Sequence, residues 1–339
     1  METMYPYRVA WHAPPPVNVR SSSRGALLDA IEYEFPTSKA RLTDLTGLGE
    51  ATVRRACRQL IREGVLTLKY GPDPDTGHAS DLISVARYPV LPVLEITRAY
   101  MIWRLCDTCG GSVFATVRDR GGFCSPEDDL MTLMGQVQTI MRAGTCGLPA
   151  KVPLQPPVLL LPAKEVSLVS LVRRVLDAPP AVCITPDEAT AMEIRYLPDA
   201  RDARSVLHLR TGEVCSVSLL ARESADDLRS PLRPAPWAAG LDQTLREYTG
   251  DLHPHTAAWW KQVAAFLRDL CRFVTPDCAV VEFDRDHTVS RLLRTALPPA
   301  VKLVRVNYAL NTPSLAHRGA LRLTRRTLWN GMESEKPNG

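Results

Sequence analysis

Apolar positions first fall into a period where Ala26, Leu27, Leu28, Ala30 and Ile31 follow Ser23 at near-helical spacing and stop at Pro36. A shorter segment over 38–45 carries Ala40, Leu42 and Leu45 and ends at Thr46 and Gly47. Beyond Gly49, the residues Val53, Ala56, Cys57, Leu60 and Ile61 stand at i, i+3, i+4, i+7 and i+8, the buried stripe of a helix that Gly64 closes. Residues 65–70 and 82–86 then read as two strands joined through Gly71, Pro72, Asp73, Pro74, Asp75 and Gly77. Three helices and a hairpin in this order are the plan of a winged helix-turn-helix, expected over residues 21–88 behind a Pro-rich arm at 1–20.

From Pro89 the pattern changes to short β-like runs at 93–96, 101–106 and 113–117. A long helix over 127–142 follows, its stripe formed by Leu130, Leu133, Met134, Val137 and Met141. Strand and helix then alternate, with strands at 158–161 and 181–184 and helices at 166–176 and 187–196. The same order restarts at Ser205: strands at 206–209 and 215–220, a Pro-rich excursion at 231–236 and a helix at 256–273. A strand at 278–283, a helix at 289–297, a strand at 301–306 and a last helix at 315–328 complete it before a polar tail at 331–339. A meander followed by alternating helices and strands, present twice, predicts two similar α/β lobes over 89–200 and 201–330.

Composition narrows the class. With 339 residues, 45% apolar and 23% charged, the chain supports two or three domains with real cores, which excludes disorder as its main state. No window nears the roughly 20 apolar residues of a bilayer span. Pro14, Pro15 and Pro16 interrupt any export signal, so a soluble cytoplasmic protein with no membrane partner is expected. The nine cysteines are an odd number scattered along strands and helices, and are expected to be thiols of a reducing compartment. Cys106 and Cys109 form the one CxxC, with no second CxxC and no nearby His pair, so no structural zinc is expected. A net charge of +4 is too mild to indicate nucleic acid by itself, so the location of the charge decides.

It sits on the third helix. With the apolar stripe turned inward, Glu50, Thr52, Arg54, Arg55, Arg58 and Arg62 are left for the other face. A guanidinium fork can bond guanine O6 and N7 or grip a phosphate, and residues early in such a helix are the ones that reach base edges. Thr52 and Arg55 are therefore the base-reading candidates, with Arg54 and Arg58 beside them, and Glu50 as an acceptor for cytosine N4. Ser38 and Lys39 at the start of the second helix can hold a phosphate, and Lys69 and His78 on the hairpin can touch flanking backbone. The bland account is an Arg-rich solvated face. The expected partner is double-stranded DNA, bound by a homodimer on a pseudo-palindrome.

The segment "SKARLTDLTGLGEATVRRACRQLIREGVL" resembles the helix-turn-helix of ROK-family transcriptional regulators, with Gly49, Glu50 and Arg54 departing from the usual Ser, basic residue and Ser. The segments "VLEITRAYMIWRLCDTCGGSVFATVRDRGG", "VCITPDEATAMEIRYLPDARDARSVLHLRTGEVCSVSLL", "FVTPDCAVVEFD" and "HRGALRL" are similar, in order and spacing, to the family's sugar-kinase-like domain. The resemblance implies an α/β body of the actin and hexokinase (ASKHA) superfamily. Its phosphate turns need glycines, because only glycine lets the backbone approach a phosphate closely. Here the first turn reads Thr97, Arg98, Ala99, and the second keeps Gly212 but has Glu213, Val214 and Ser216, which argues against ATP; no cofactor is expected.

Asp187 matches the family's general base but follows Pro186 in place of the usual Asn, and an acid there also suits a helix N-terminus. The family's zinc cluster and sugar-contacting Gly-Glu-x-Gly-His are replaced by "ARESADDLRSPLRPAPW". The expected protein is a DNA-binding regulator whose kinase-like body is catalytically inactive and dimerises, with Asp187 the one candidate contact for an unidentified small-molecule effector. The alternatives are an ATP-dependent sugar kinase with Asp187 as base, or a winged helix that binds protein.

Overall fold

The structure is a computed structural model and describes residues 23–33, 35–73, 77–86, 91–97, 100–107, 111–120, 125–142, 157–161, 166–176, 182–211, 216–222, 231–238, 240–252, 256–283, 287–307 and 313–334. The expected arm at 1–20, the turn residues Pro74, Asp75, Arg98, Ala99, Gly212, Glu213 and Val214, Cys109 and the end of the tail at 335–339 lie outside them.

The chain begins with α1 (Ser23–Tyr33), α2 (Lys39–Thr46) and α3 (Glu50–Arg62). The antiparallel strands β1 (Leu66–Pro72) and β2 (Ala79–Val85) follow, paired from Leu66 opposite Val85 to Pro72 opposite Ala79. The stripe read from the sequence is the one that is buried: Val53, Cys57 and Leu60 pack with Leu27, Ile31, Leu42 and Ile83, while Ala56 and Ile61 close its margin. Ser38 caps α2, its Oγ accepting from the Arg41 N–H at 3.2 Å. Gly47 ends α2 at φ 66°, a backbone shape that a side chain would strain, and so sets the sharp turn into α3. Thr37 pairs with Ile83 on the outer edge of the hairpin, which ties the α1–α2 connection to it.

The remainder is built twice from one plan. The first sheet holds β3 (Leu91–Ile96), β4 (Tyr100–Cys106), β5 (Ser112–Asp119), β6 (Val158–Leu160) and β7 (Val182–Ile184) in the order β5-β4-β3-β6-β7. The second holds β8 (Ser205–Arg210), β9 (Ser216–Arg222), β10 (Leu232–Pro234), β11 (Cys278–Phe283) and β12 (Lys302–Asn307) in the order β10-β9-β8-β11-β12. In each, an antiparallel meander is extended by parallel strands reached through helices. The duplication expected from the pattern is therefore present in the sheet topology.

Helices α4 (Pro126–Arg142) and α5 (Val166–Leu176) cover the first sheet, burying Leu130, Leu133, Val137 and Val172 against Trp103 and Leu159. On the second, α7 (Leu241–Thr249), α8 (Ala257–Phe273) and α9 (His287–Ala296) bury Leu245, Trp259, Val263 and Leu293 against Leu207 and Val281. The last helix of each half crosses to the other. From α6 (Pro186–Ile194), Ala191 and Ile194 pack among Val206, Leu220 and Val280; from α10 (Leu315–Ser334), Ala316, Ala320 and Leu321 pack among Leu91, Val93 and Leu160.

Differences from the expected elements have local causes. Helix α7 was hidden behind the Pro-rich excursion, its Leu241 and Leu245 being too sparse an apolar row to stand out. Helix α10 runs past the expected end at Leu328 to Ser334, into the start of the tail expected at 331–339. Trp259, Trp260 and Phe266 pack into the second core. Cys57, Cys106, Cys183, Cys271 and Cys278 are free thiols, and burial pushes Cys106 up to about 12 and Cys278 to about 11. Among the described residues no helix is long and apolar enough to cross a membrane.

Candidate nucleic-acid interface and a buried ionic cluster

Helix α3 presents its arginines outward. Arg54, Arg55, Arg58 and Arg62 are all exposed and, with Glu50 and Ala51, line a shallow groove of about 370 Å³. Glu50 pairs with Arg54 one turn on, across side chains that are 64% and 58% exposed. A pair so open to water is worth a few tenths of a kcal/mol, so Glu50 orients Arg54 more than it holds it. Among the described residues Arg55 and Arg58 make no ion pair, which leaves their charge available to an anion.

The other candidates are distributed around this groove without lining it. Thr52 and Lys39 are half-buried, and Ser38 uses its hydroxyl in the α2 cap. Lys69 and His78 are exposed on the hairpin. Beside Lys69, Leu68 and Tyr70 are 45% and 79% exposed, apolar surface that an isolated hairpin has no reason to offer to water. Tyr70 was missed by the sequence reading, where it counted only as the end of a strand.

Asp187 lies at the second position of α6. The helix start is satisfied without it: Thr185 accepts from the Glu188 N–H at 3.2 Å, and Glu188 accepts from the Thr185 N–H at 3.1 Å. Asp187 is half-buried and close enough to Asp242 of α7 to raise that carboxyl, after burial and against the hydrogen bond from Val217.

The largest concentration of buried charge was not anticipated from the sequence. Glu95 on β3 takes both arms of Arg210 on β8, at 2.9 and 3.2 Å, joining the two sheets. Burial opposes its charge, yet Arg210, helped by Arg104, holds its carboxyl below the usual range; Glu95 in turn holds Arg210 protonated against its burial. Glu282 on β11 accepts from His208 Nε2 at 2.8 Å and from the Leu315 N–H at the start of α10 at 2.9 Å, and is likewise held low against burial. His317 sits with Nδ1 2.7 Å from the Ser314 hydroxyl and Nε2 3.4 Å from Glu95, too poorly aligned for a hydrogen bond. The signal for this cluster is charge inside otherwise apolar strands, as in "LPVLEI" and "VLHLR".

Burial pushes His317 down to about 3, with Arg104 and Arg210 adding to it and Glu95 opposing. The folded chain thus keeps a neutral ring where the unfolded chain takes up a proton near 6.5, so its contribution is complete above about 6.5 and is lost as pH falls toward 3. Glu95 and Glu282, also lowered, add a loss of the same sign only below the ordinary carboxylate value of 4.5. Between these limits the expected slope from His317 is up to about 1.4 kcal/mol per pH unit. Urea unfolding of wild type and His317→Gln at pH 7, 6 and 5 checks it; parallel curves would remove His317 as the cause.

No sequence-family profile matches the chain, and neither does any individually curated protein sequence. Solved structures do. The crystal structure of a ROK-family transcriptional regulator, a homologue of the E. coli Mlc protein, is similar at a TM-score of 0.53 and 12% identity, covering 91% of this chain and 96% of that one. An inorganic polyphosphate/ATP-glucomannokinase from Arthrobacter sp. strain KM matches at 0.48 and 14%, over 71% of this chain and all of its own. A ROK-family glucokinase from Streptomyces griseus, solved with glucose and AMPPNP, matches at 0.43 and 11%, over 70% of this chain and all of its own. The chain thus has a mixed α/β fold like that of the ROK-family regulator.

Proposed function

We propose that the chain is a sequence-specific DNA-binding transcriptional regulator. Its α1–β2 unit is read as a winged helix-turn-helix with α3 in the major groove, and its duplicated α/β body as an inactive kinase-like platform that pairs two copies. The observation that carries this reading is the outward row Arg54, Arg55, Arg58 and Arg62 on the helix that follows the Gly47 turn. Exposure matters: had these guanidinium groups been packed against the body, the reading would have no surface to work with. The likeness to the ROK regulator gives it further support, since it covers more of this chain than the α/β body contains.

Against phosphoryl transfer stands the Glu95–Arg210 pair. Glu95 and Arg210 each lie two residues before the turns that, in the family's kinases, approach the nucleotide phosphates, and here the strand ends carry a buried carboxylate clamped to a guanidinium. A carboxylate in that place repels phosphate, and the guanidinium that could attract it is already neutralised. Asp187 remains the residue we assign to an effector, if one enters between α6 and α7.

Selection of bound sequences from random duplexes, with and without metabolite pools, tests DNA recognition and effector dependence together. On the selected duplex, Arg55→Ala is expected to weaken binding by about 1–3 kcal/mol and to relax the preference at one position, read by fluorescence anisotropy. Undiminished binding in the combined Arg54, Arg55 and Arg58 alanine variant would move the reading to a protein-binding winged helix. Saturable thermal stabilisation by Mg-ATP and a sugar would move it to a kinase.

A further inference from the structure

The last helix links the ionic cluster to α1. Its first turn is held at the ionic cluster, by Leu315 on Glu282 and by His317 beside Glu95. Farther along, Arg322 and Arg325 leave the body and meet Glu32, the penultimate residue of α1. The carboxylate of Glu32 is fully buried. Its Oε1 accepts from Arg325 Nε at 2.9 Å and lies 2.7 Å from Nη2, while Oε2 lies 3.3 Å from Arg322 Nη1. Arg322 Nη1 also donates to the Glu32 carbonyl at 3.0 Å, and its Nε donates to Glu193 of α6 at 2.8 Å. The Arg322 guanidinium lies 3.6 Å over the Tyr196 ring, so its plane is fixed as well as its charge.

The chemistry of this joint is unlike that of an apolar contact. Apolar surfaces slide with little penalty, whereas a buried carboxylate shared by two guanidinium forks is directional and expensive to leave half-satisfied. Because α1 shares one core with α3, whatever fixes α1 fixes the direction in which Arg54, Arg55 and Arg58 point.

We propose that Glu32, Arg322 and Arg325 are positioning residues that lock α3 at one angle to the α/β body, so that two paired copies hold their two recognition helices at a set separation. This rests on the DNA-binding reading above. Direct contact with DNA is not required of any of the three.

The test uses the full chain with Glu32→Gln, which keeps the shape and removes the charge, and separately Arg325→Met. Each is titrated against the selected duplex, a single half-site, and the selected duplex with about five base pairs, half a helical turn, inserted between half-sites. For wild type the insertion is expected to weaken binding at least about tenfold, because it turns one half-site to the far side of the duplex. In the variants that penalty should shrink to about threefold or less while single half-site affinity stays within about twofold, a pattern that general destabilisation does not give. An unchanged penalty in both folded variants overturns the proposal.

Calorimetry separates the joint from the DNA reading. Wild type should unfold in one transition, and Glu32→Gln in two, as the α1–β2 unit melts apart from the body. Two transitions together with arginine-independent DNA binding would retain the joint and discard the DNA reading. One transition in Glu32→Gln together with an unchanged insertion penalty would discard the joint alone.

Discussion

Arg210→Ala is expected to lower the free energy of unfolding by about 3–5 kcal/mol, among the largest effects of any single side chain in the α/β body. The reason lies in what is left behind. Glu95 is entirely buried, and its two hydrogen bonds to Arg210 are its principal compensation; His317, 3.4 Å away, is held neutral by burial and cannot replace that charge. Without Arg210 the carboxylate must either stay charged in an apolar sheet or take up a proton, and either way the folded state suffers. The double variant Glu95→Leu/Arg210→Met removes the charge from both sides of the joint and should recover at least about 2 kcal/mol relative to the sum of the two single losses. Recovery is incomplete because Arg104 also draws on Glu95. A urea double-mutant cycle measures this, and additive losses would mean that the two sheets are joined by apolar packing alone.

How much of this was legible before the structure depends on the range of the interaction. The α3 stripe was readable because Val53, Cys57 and Leu60 lie within two turns of one another and obey one period, and the arginine row followed by subtraction. The repeated strand order was readable for the same reason, since each run announces itself locally. Glu95 and Arg210 were not, because the partners are 115 residues apart and each alone looks like an ordinary strand-end charge. The joint at Glu32 spans 293 residues to Arg325 and is invisible to any window. Asp187 shows the converse: its position was read correctly as a helix start, yet the capping is done by Thr185 and Glu188, so nothing local reveals a ligand for it. Charges in the middle of apolar runs were the one sequence signal of buried pairing, and "YMIWRLC", whose Arg104 is fully buried with Nη1 on Ser112, carries it as clearly as Glu95 does.

Gly319→Ala is the second large effect, and its sign runs against helix propensity. In an exposed helix interior this exchange stabilises by about 1 kcal/mol, because glycine loses more backbone freedom on folding than alanine. In α10, however, a Cβ placed on Gly319 falls 1.8 Å from the Ala189 carbonyl oxygen and 2.6 Å from its carbon, both backbone atoms of α6 that no rotamer change can move. The two helices meet through Ala189, Ala316 and Ala320, all fully buried, and that closeness makes α6 and α10 one packed unit. Separating them enough to admit a methyl group means shifting a whole helix, so the overpacking loss should reach or exceed the upper part of the usual 1–3 kcal/mol, roughly 3 kcal/mol net of propensity. Denaturant midpoints report the loss, with an unchanged slope expected if the fold survives. Because Glu193 and Arg322 sit about one turn beyond the crossing, the same variant should also loosen the Glu32 joint and reduce the half-turn insertion penalty. A Gly319→Ala protein as stable as wild type would show that α6 and α10 can part without resistance, and the rigid path from the ionic cluster to α1 would then have no physical basis.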